Sequence, residues 1–270
     1  MNRPRSWRLA GAMLALVLVI AAVPAPAAAH SWIFRPITLP RGSAALDLGF
    51  AIGRLGDPER RTGPGLNLEL AFAIASDVQL GLRTGIRFGG AGRATRADEY
   101  ARIFETETYA TAAGGVDTVA NPEISMLFAL ARGRVVQLAF DMRFFVPLES
   151  GSQFGVMPAL PIWLRFGAVR LDTGIYVPII FTDPQTTTVV SVPLAVWIQA
   201  SGRVHVGPQL GIRVWNTATD STFTTYPFGF GLGYEVSHNV DLRFRIFFRD
   251  VGRSDAARDF GAGIAFQFRT

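Results

Sequence analysis

Side chains suited to acid–base or nucleophilic chemistry are few in this sequence. The 270-residue chain has no Cys and three His, so thiolate chemistry and Cys-based metal sites are excluded. His30, His205 and His238 are the only imidazoles. None sits in a His-Glu-x-x-His pattern, and no glycine loop has the spacing that cradles phosphate. His205 and His238 lie at or near expected turns, where a structural histidine is the better reading. These residues predict no enzyme activity, no cofactor and no metal site.

The abundant functional groups are guanidinium and carboxylate. All 26 basic residues are Arg, set against 21 acids. Three of those Arg fall in the first 29 residues, which leaves 23 basic against 21 acidic residues beyond them. The high isoelectric point therefore misleads: no basic stripe of the kind that binds nucleic acid is present.

Arg3, Arg5 and Arg8 precede the apolar run from Leu14 to Val23, and Ala27, Ala28 and Ala29 follow it. This is the charged, apolar and small-residue order of a secretory signal, which predicts a signal peptide over 1–29 cut before His30. The apolar run is shorter than the roughly 20 residues a membrane-spanning helix needs. No Cys follows the cut, so a lipid-anchored product is not expected.

From residue 43 onward no 3.6-residue period persists. Hydrophobicity alternates with period two in segments of about ten residues, the pattern of strands that cross a membrane as a closed barrel. Twelve such segments are expected, near 44–52, 65–73, 78–88, 122–130, 135–146, 156–166, 169–179, 190–199, 204–215, 227–235, 240–249 and 260–269. Their connections alternate in length. Short turns fall at 75–77, 131–134, 167–168, 200–203 and 236–239, and longer links at 53–64, 89–121, 147–155, 180–189, 216–226 and 250–259. Short periplasmic turns and long external loops give that alternation, and an even strand number returns both termini to the periplasm.

Parity sorts the side chains. Val240, Leu242, Phe244, Ile246 and Phe248 share one face, with Asp241, Arg243, Arg245 and Arg249 on the other. Leu138, Phe140, Met142, Phe144 and Val146 likewise oppose Gln137, Asp141 and Arg143. A charge on a lipid-facing wall at mid-bilayer costs about 2–4 kcal/mol, and the apolar faces carry none. A secreted two-layer sandwich would alternate in the same way. Long strands, the loop rhythm and a polar face rich in glycine (Gly81, Gly85, Gly207, Gly211, Gly229, Gly231, Gly233, Gly261 and Gly263) favour the barrel. Trp163, Trp197 and Trp215 fall on the inward parity, against the habit of tryptophan to form an interfacial girdle.

Over 43–270 the chain resembles bacterial outer-membrane β-barrel proteins of the porin-like kind. The closing segment from Phe260 to Thr270 is similar to the C-terminal strand that such proteins offer to the barrel-assembly machinery, although Arg269 and Thr270 follow the terminal aromatic Phe268. The resemblance implies an all-β, up-and-down antiparallel transmembrane barrel of about twelve strands behind a cleavable signal peptide. It also implies the outer membrane of a Gram-negative bacterium, with contacts to its lipid and to that machinery. Outer-membrane phospholipase A, also twelve-stranded, uses a His-x-Ser pair with Asn, which neither His205-Val-Gly207 nor His238-Asn-Val240 reproduces. Omptin-like proteases place His and Asp at the external rim, where no His is expected here.

The expected pore lining consists of Arg83, Arg87, Arg143, Arg213, Arg243, Arg245 and Arg249 with Asp47, Glu69 and Asp141. Rings of Arg favour anions. Trp163, Tyr176 and Trp197 would add an apolar luminal patch, and the inward glycines suggest open space. The N-terminal stretch 30–42 is expected to be periplasmic or luminal, and two segments are candidate plugs: 30–41, which carries Trp32 and Phe34, and the loop 89–121, where 98–105 suits a short helix. The leading function is passive diffusion of small polar or anionic solutes, and the alternative is a closed barrel acting through its external loops.

Overall fold

A computed structural model describes residues 32–54, 62–87, 119–148, 153–181, 186–216, 222–254, 256 and 260–270. The expected signal peptide, His30 and the stretch 98–105 lie outside the described residues. Within them the chain is a closed antiparallel barrel. The strands are β1 (Ala44–Arg54), β2 (Thr62–Ala73), β3 (Val78–Arg87), β4 (Val119–Arg132), β5 (Val136–Phe145), β6 (Gly155–Phe166) and β7 (Val169–Tyr176). They continue as β8 (Ile179–Ile180), β9 (Thr187–Gln199), β10 (Val204–Asn216), β11 (Thr222–Thr225), β12 (Phe228–Ser237), β13 (Val240–Phe248) and β14 (Phe260–Arg269). Each pairs with its neighbour, and β14 returns to β1 over the register from Ala45↔Arg269 to Arg54↔Phe260, which closes the wall.

Fourteen strand pieces make twelve staves because proline interrupts two of them. Pro has no N–H to give to a ladder. Accordingly β7 breaks before Pro178 and resumes as β8, while β11 breaks before Pro227 and resumes as β12. Their carbonyls still serve the ladder: Val189 N–H donates to Pro178 O at 2.9 Å and Gly211 N–H to Pro227 O at 3.1 Å. The sequence pattern placed loops at 180–189 and 216–226. Instead β9 begins at Thr187, and β11 pairs with Arg213 to Asn216 of β10. Between β6 and β7 the turn holds two residues, Gly167 and Ala168, and Gly167 takes φ +55°, a conformation that suits the tight turn of a twisted hairpin.

The two faces differ as parity requires. Leu66, Leu68, Leu70 and Phe72 of β2 point outward and are each about 39–47 % exposed, while Asn67 and Glu69 between them are buried. The same holds for Phe230, Leu232 and Tyr234 of β12 and for Ile212 and Val214 of β10. Half-exposed large apolar side chains around a whole perimeter need hydrocarbon, not water, as solvent. No charged residue stands on this face between the strand ends among the described residues. Aromatics collect at both rims: Phe72, Phe166 and Phe268 at the short-turn end, Phe154, Phe181 and Phe260 at the other. Trp197 and Trp215 point inward and are buried, so their parity reflects their place in the barrel.

Candidate functional site

The lumen is built from alternate residues of all twelve staves, and its charges are paired both along single strands and between strands. On β3 to β5 the Arg83 guanidinium lies 3.3 Å from the Glu123 carboxylate, and Arg143 reaches Glu123 at 3.8 Å and Asp141 at 2.7 Å. On β7 Arg170 grips Asp172 with two nitrogens, at 2.6 and 2.7 Å. Arg243 of β13 pairs with Asp47 of β1. Charges withdrawn from bulk water require such partners, since an isolated buried ion is costly.

Asp47, Glu69, Asp141, Arg83, Arg143, Arg213 and Arg245 are all buried side chains of the inner face, and Arg243 and Arg249 are partly buried there. Arg87 ends β3, and its side chain lies outside the described set. Tyr176 and Trp197 are buried and Trp163 is partly buried. All three line one luminal cavity, within different packing clusters. Tyr176 packs with Phe145, Met157, Ile180 and Trp215, whereas Trp197 packs with Trp32, Ile33 and Ala195.

Residues 32–41 enter the barrel at the short-turn end and cross its mouth. Trp32 to Phe34 form a single 3-10 turn, with Ile33 fully buried. The Arg35 side chain forms a forked pair with Asp241 at the start of β13, one arm at 2.9 Å, and lies 3.6 Å from Glu235 at the end of β12. Ile37 N–H donates to Gln137 Oε1 at 2.7 Å and Leu39 N–H to Gln79 Oε1 at 2.9 Å. The Thr38 hydroxyl donates to Ser76 O at 2.9 Å and accepts from Arg132, while Arg165 donates to Arg35 O. Every one of these wall partners belongs to a short turn or to a strand end beside one. The segment therefore lies across one rim.

An aromatic box holds its leading end. The Trp32 indole stacks on His205, with ring centroids 4.1 Å apart and planes 9° apart, and meets Trp197 edge-on at 5.2 Å. The Arg170 guanidinium lies 3.6 Å from the Trp32 ring centre and 4.2 Å from that of Trp163, a geometry that draws cation to π-face. Glycine makes room for the box. Gly231 and Gly233 of β12 stand across from Gly207 and His205 of β10. A Cβ at Gly231 would sit 2.5 Å from the Trp197 ring, and one at Gly233 would overlap the His205 imidazole.

The inward glycines thus seat side chains, and the expectation that they mark open space is corrected at these positions. His205, read from the sequence as a structural or turn histidine, is a buried member of the box. Its alternation with Gly207, Gln209 and Arg213 was the available signal. What one strand cannot reveal is that a glycine faces it across the ladder.

Between the crossing segment and the wall remains a cavity of about 540 Å³. Pro36, Pro40 and Phe34 bound it from the segment, and Glu69, Asp141, Arg143, Arg243 and Arg245 from the wall. Among the described residues no group of three or more His, Asp or Glu is placed to hold a metal ion.

No sequence-family model and no curated protein matches this chain. Solved structures do resemble it. An outer-membrane channel of Pseudomonas putida F1 shares 10% identity, with 86% of this chain and 97% of that chain covered at a TM-score of 0.58. The NanC porin shares 8%, covering 83% and 98% at 0.57. The KdgM porin shares 9%, covering 83% and 98% at 0.54. At such identities the likeness is one of fold: a closed barrel of twelve antiparallel staves.

Proposed function

We propose that this chain is a diffusion channel for small polar or anionic solutes in the outer membrane of a Gram-negative bacterium, and that it is not an enzyme. The observation that carries this reading is the luminal cavity of about 540 Å³ bounded by Arg143, Arg243 and Arg245. Twelve staves enclose more space than the eight that side chains alone can fill. Arg on the wall of a narrow aqueous path attracts anions and repels cations. The KdgM porin has been captured with disordered oligogalacturonate, a carboxylate-bearing sugar chain, which agrees with an anionic solute for a barrel of this shape. The lipid-facing wall and the strand Phe260–Arg269 suit delivery by a barrel-assembly machinery, with the short turns in the periplasm.

The test is conductance in planar bilayers for the full chain and for a deletion of 32–39. Both should pass current, with a reversal potential displaced towards that of the anion, and the deletion should conduct more. Silence from correctly folded deletion protein would refute the channel. A second reading, a closed barrel acting through its long-loop end, is favoured by one observation, the occupied mouth, and predicts silence from the full chain.

A further inference from the structure

We infer that Arg35 is the latch of a hinged plug, and that its pairing with Asp241 and Glu235 sets whether 32–39 occupies the mouth. The inference builds on the channel reading but needs no solute. Its attachments fall into two unequal groups. The half nearer β1 is tied by hydrogen bonds at Ile37, Thr38 and Leu39, to Gln137, Ser76 and Gln79, with Arg132 also donating to the Thr38 hydroxyl. The far half is held by the Trp32 box, by Arg165 and Arg170 donating to the Arg35 and Trp32 carbonyls, and by a bidentate side-chain ion pair, the fork from Arg35 to Asp241. A bidentate guanidinium–carboxylate pair is both stronger and more directional than a neutral hydrogen bond.

At the other end of the segment is a pivot. Gly42 has φ +76°, nothing within 4 Å of the place its Cβ would take, and an N–H bound to Ala73 O at 2.8 Å. The chain is thus fixed to β2 at Gly42, and the residues before it reach inward from there. Asp241 is fully buried, and Arg269 also reaches it at 3.2 Å, so loss of Arg35 leaves the carboxylate still partnered and the wall intact. Breaking the latch therefore releases the plug without unfolding the barrel.

The test uses the full chain, which has no native Cys, with Ile33→Cys as a reporter. Ile33 lies within the plug and is fully buried, so a water-soluble maleimide should label it slowly in folded protein. Adding Arg35→Ala, or separately Asp241→Asn, should speed labelling roughly tenfold, as expected for loss of a charged hydrogen-bonded pair. Heat-shifted gel migration should remain that of a folded barrel. In bilayers the same changes should raise conductance towards that of the deletion.

Unchanged labelling in both variants would overturn the latch, whatever the bilayers show. Faster labelling with a silent deletion would keep the latch and remove the channel, so the two claims fail separately. A disulfide between Ile33→Cys and Ala195→Cys, two positions within one buried cluster, should hold conductance low in the Arg35→Ala background until it is reduced.

Discussion

Gly231→Ala decides by its sign what the inward glycines are for. Were Gly231 beside open space, alanine would reduce the entropy lost on folding and stabilise the strand by about 0.5–1 kcal/mol. The structure puts the new Cβ 2.5 Å from one carbon of the Trp197 ring and 2.8 Å from the next. Carbon atoms pack at about 3.5–4.0 Å, so the indole must retreat by roughly 1 Å. It has little room to do so, being 2% exposed and packed edge-on against both Trp32 and His205. Overfilling a packed interior of this kind costs typically 1–3 kcal/mol. Reversible urea unfolding in lipid vesicles, followed by tryptophan emission, should therefore show the midpoint falling at unchanged slope. Gly202→Ala is the control: it lies in a turn, with nothing within 4 Å of its Cβ position, and should be neutral. A Gly231→Ala midpoint equal to or above that of the parent would refute the seating argument.

Two further substitutions probe the wall. Leu68→Arg places a charge near the middle of the outer face of β2, beside Leu48 and Thr84 in the register, and should destabilise the barrel in vesicles by about 2–4 kcal/mol. No loss there would mean that water, not hydrocarbon, meets this face. Glu123→Ala removes the carboxylate shared by Arg83 and Arg143 and should cost about 3–5 kcal/mol in the same assay. Glu123→Gln, which keeps an acceptor, should lose less.

The wall was legible because lipid enforces period two with few exceptions. Val240 to Arg249 reads as a strand from its letters alone, and the structure sets it at Val240–Phe248. The loop rhythm gave the stave number for the same reason: each turn is a break in that period. Proline blurred it. A segment holding Pro178 or Pro227 looks like loop in isolation, yet the ladder on either side carries the strand past the break. The interior was less readable, since inward positions are fixed by what lies across the lumen. Trp197, His205 and Gly231 lie on three strands paired in succession, β9, β10 and β12, and only the register of that pairing brings them around Trp32. The segment 32–41 could be named as a candidate plug from its aromatics. Its partners, Gln79, Gln137 and Asp241, carry no local sign of that duty.

The seam between β1 and β14 sets an order of events. Ala44 N–H donates to the Thr270 hydroxyl across 226 residues of chain, so the first stave stays without its second neighbour until the last one arrives. Contacts of such separation form late, because the loop they close is the largest available. Until then two bare strand margins face outward, each a template for pairing with a foreign chain. The mouth-crossing residues hang from one of those margins and must be on the inner side before it is sealed. A defect at this junction should thus appear as entangled, mispaired protein rather than as a leaky finished barrel.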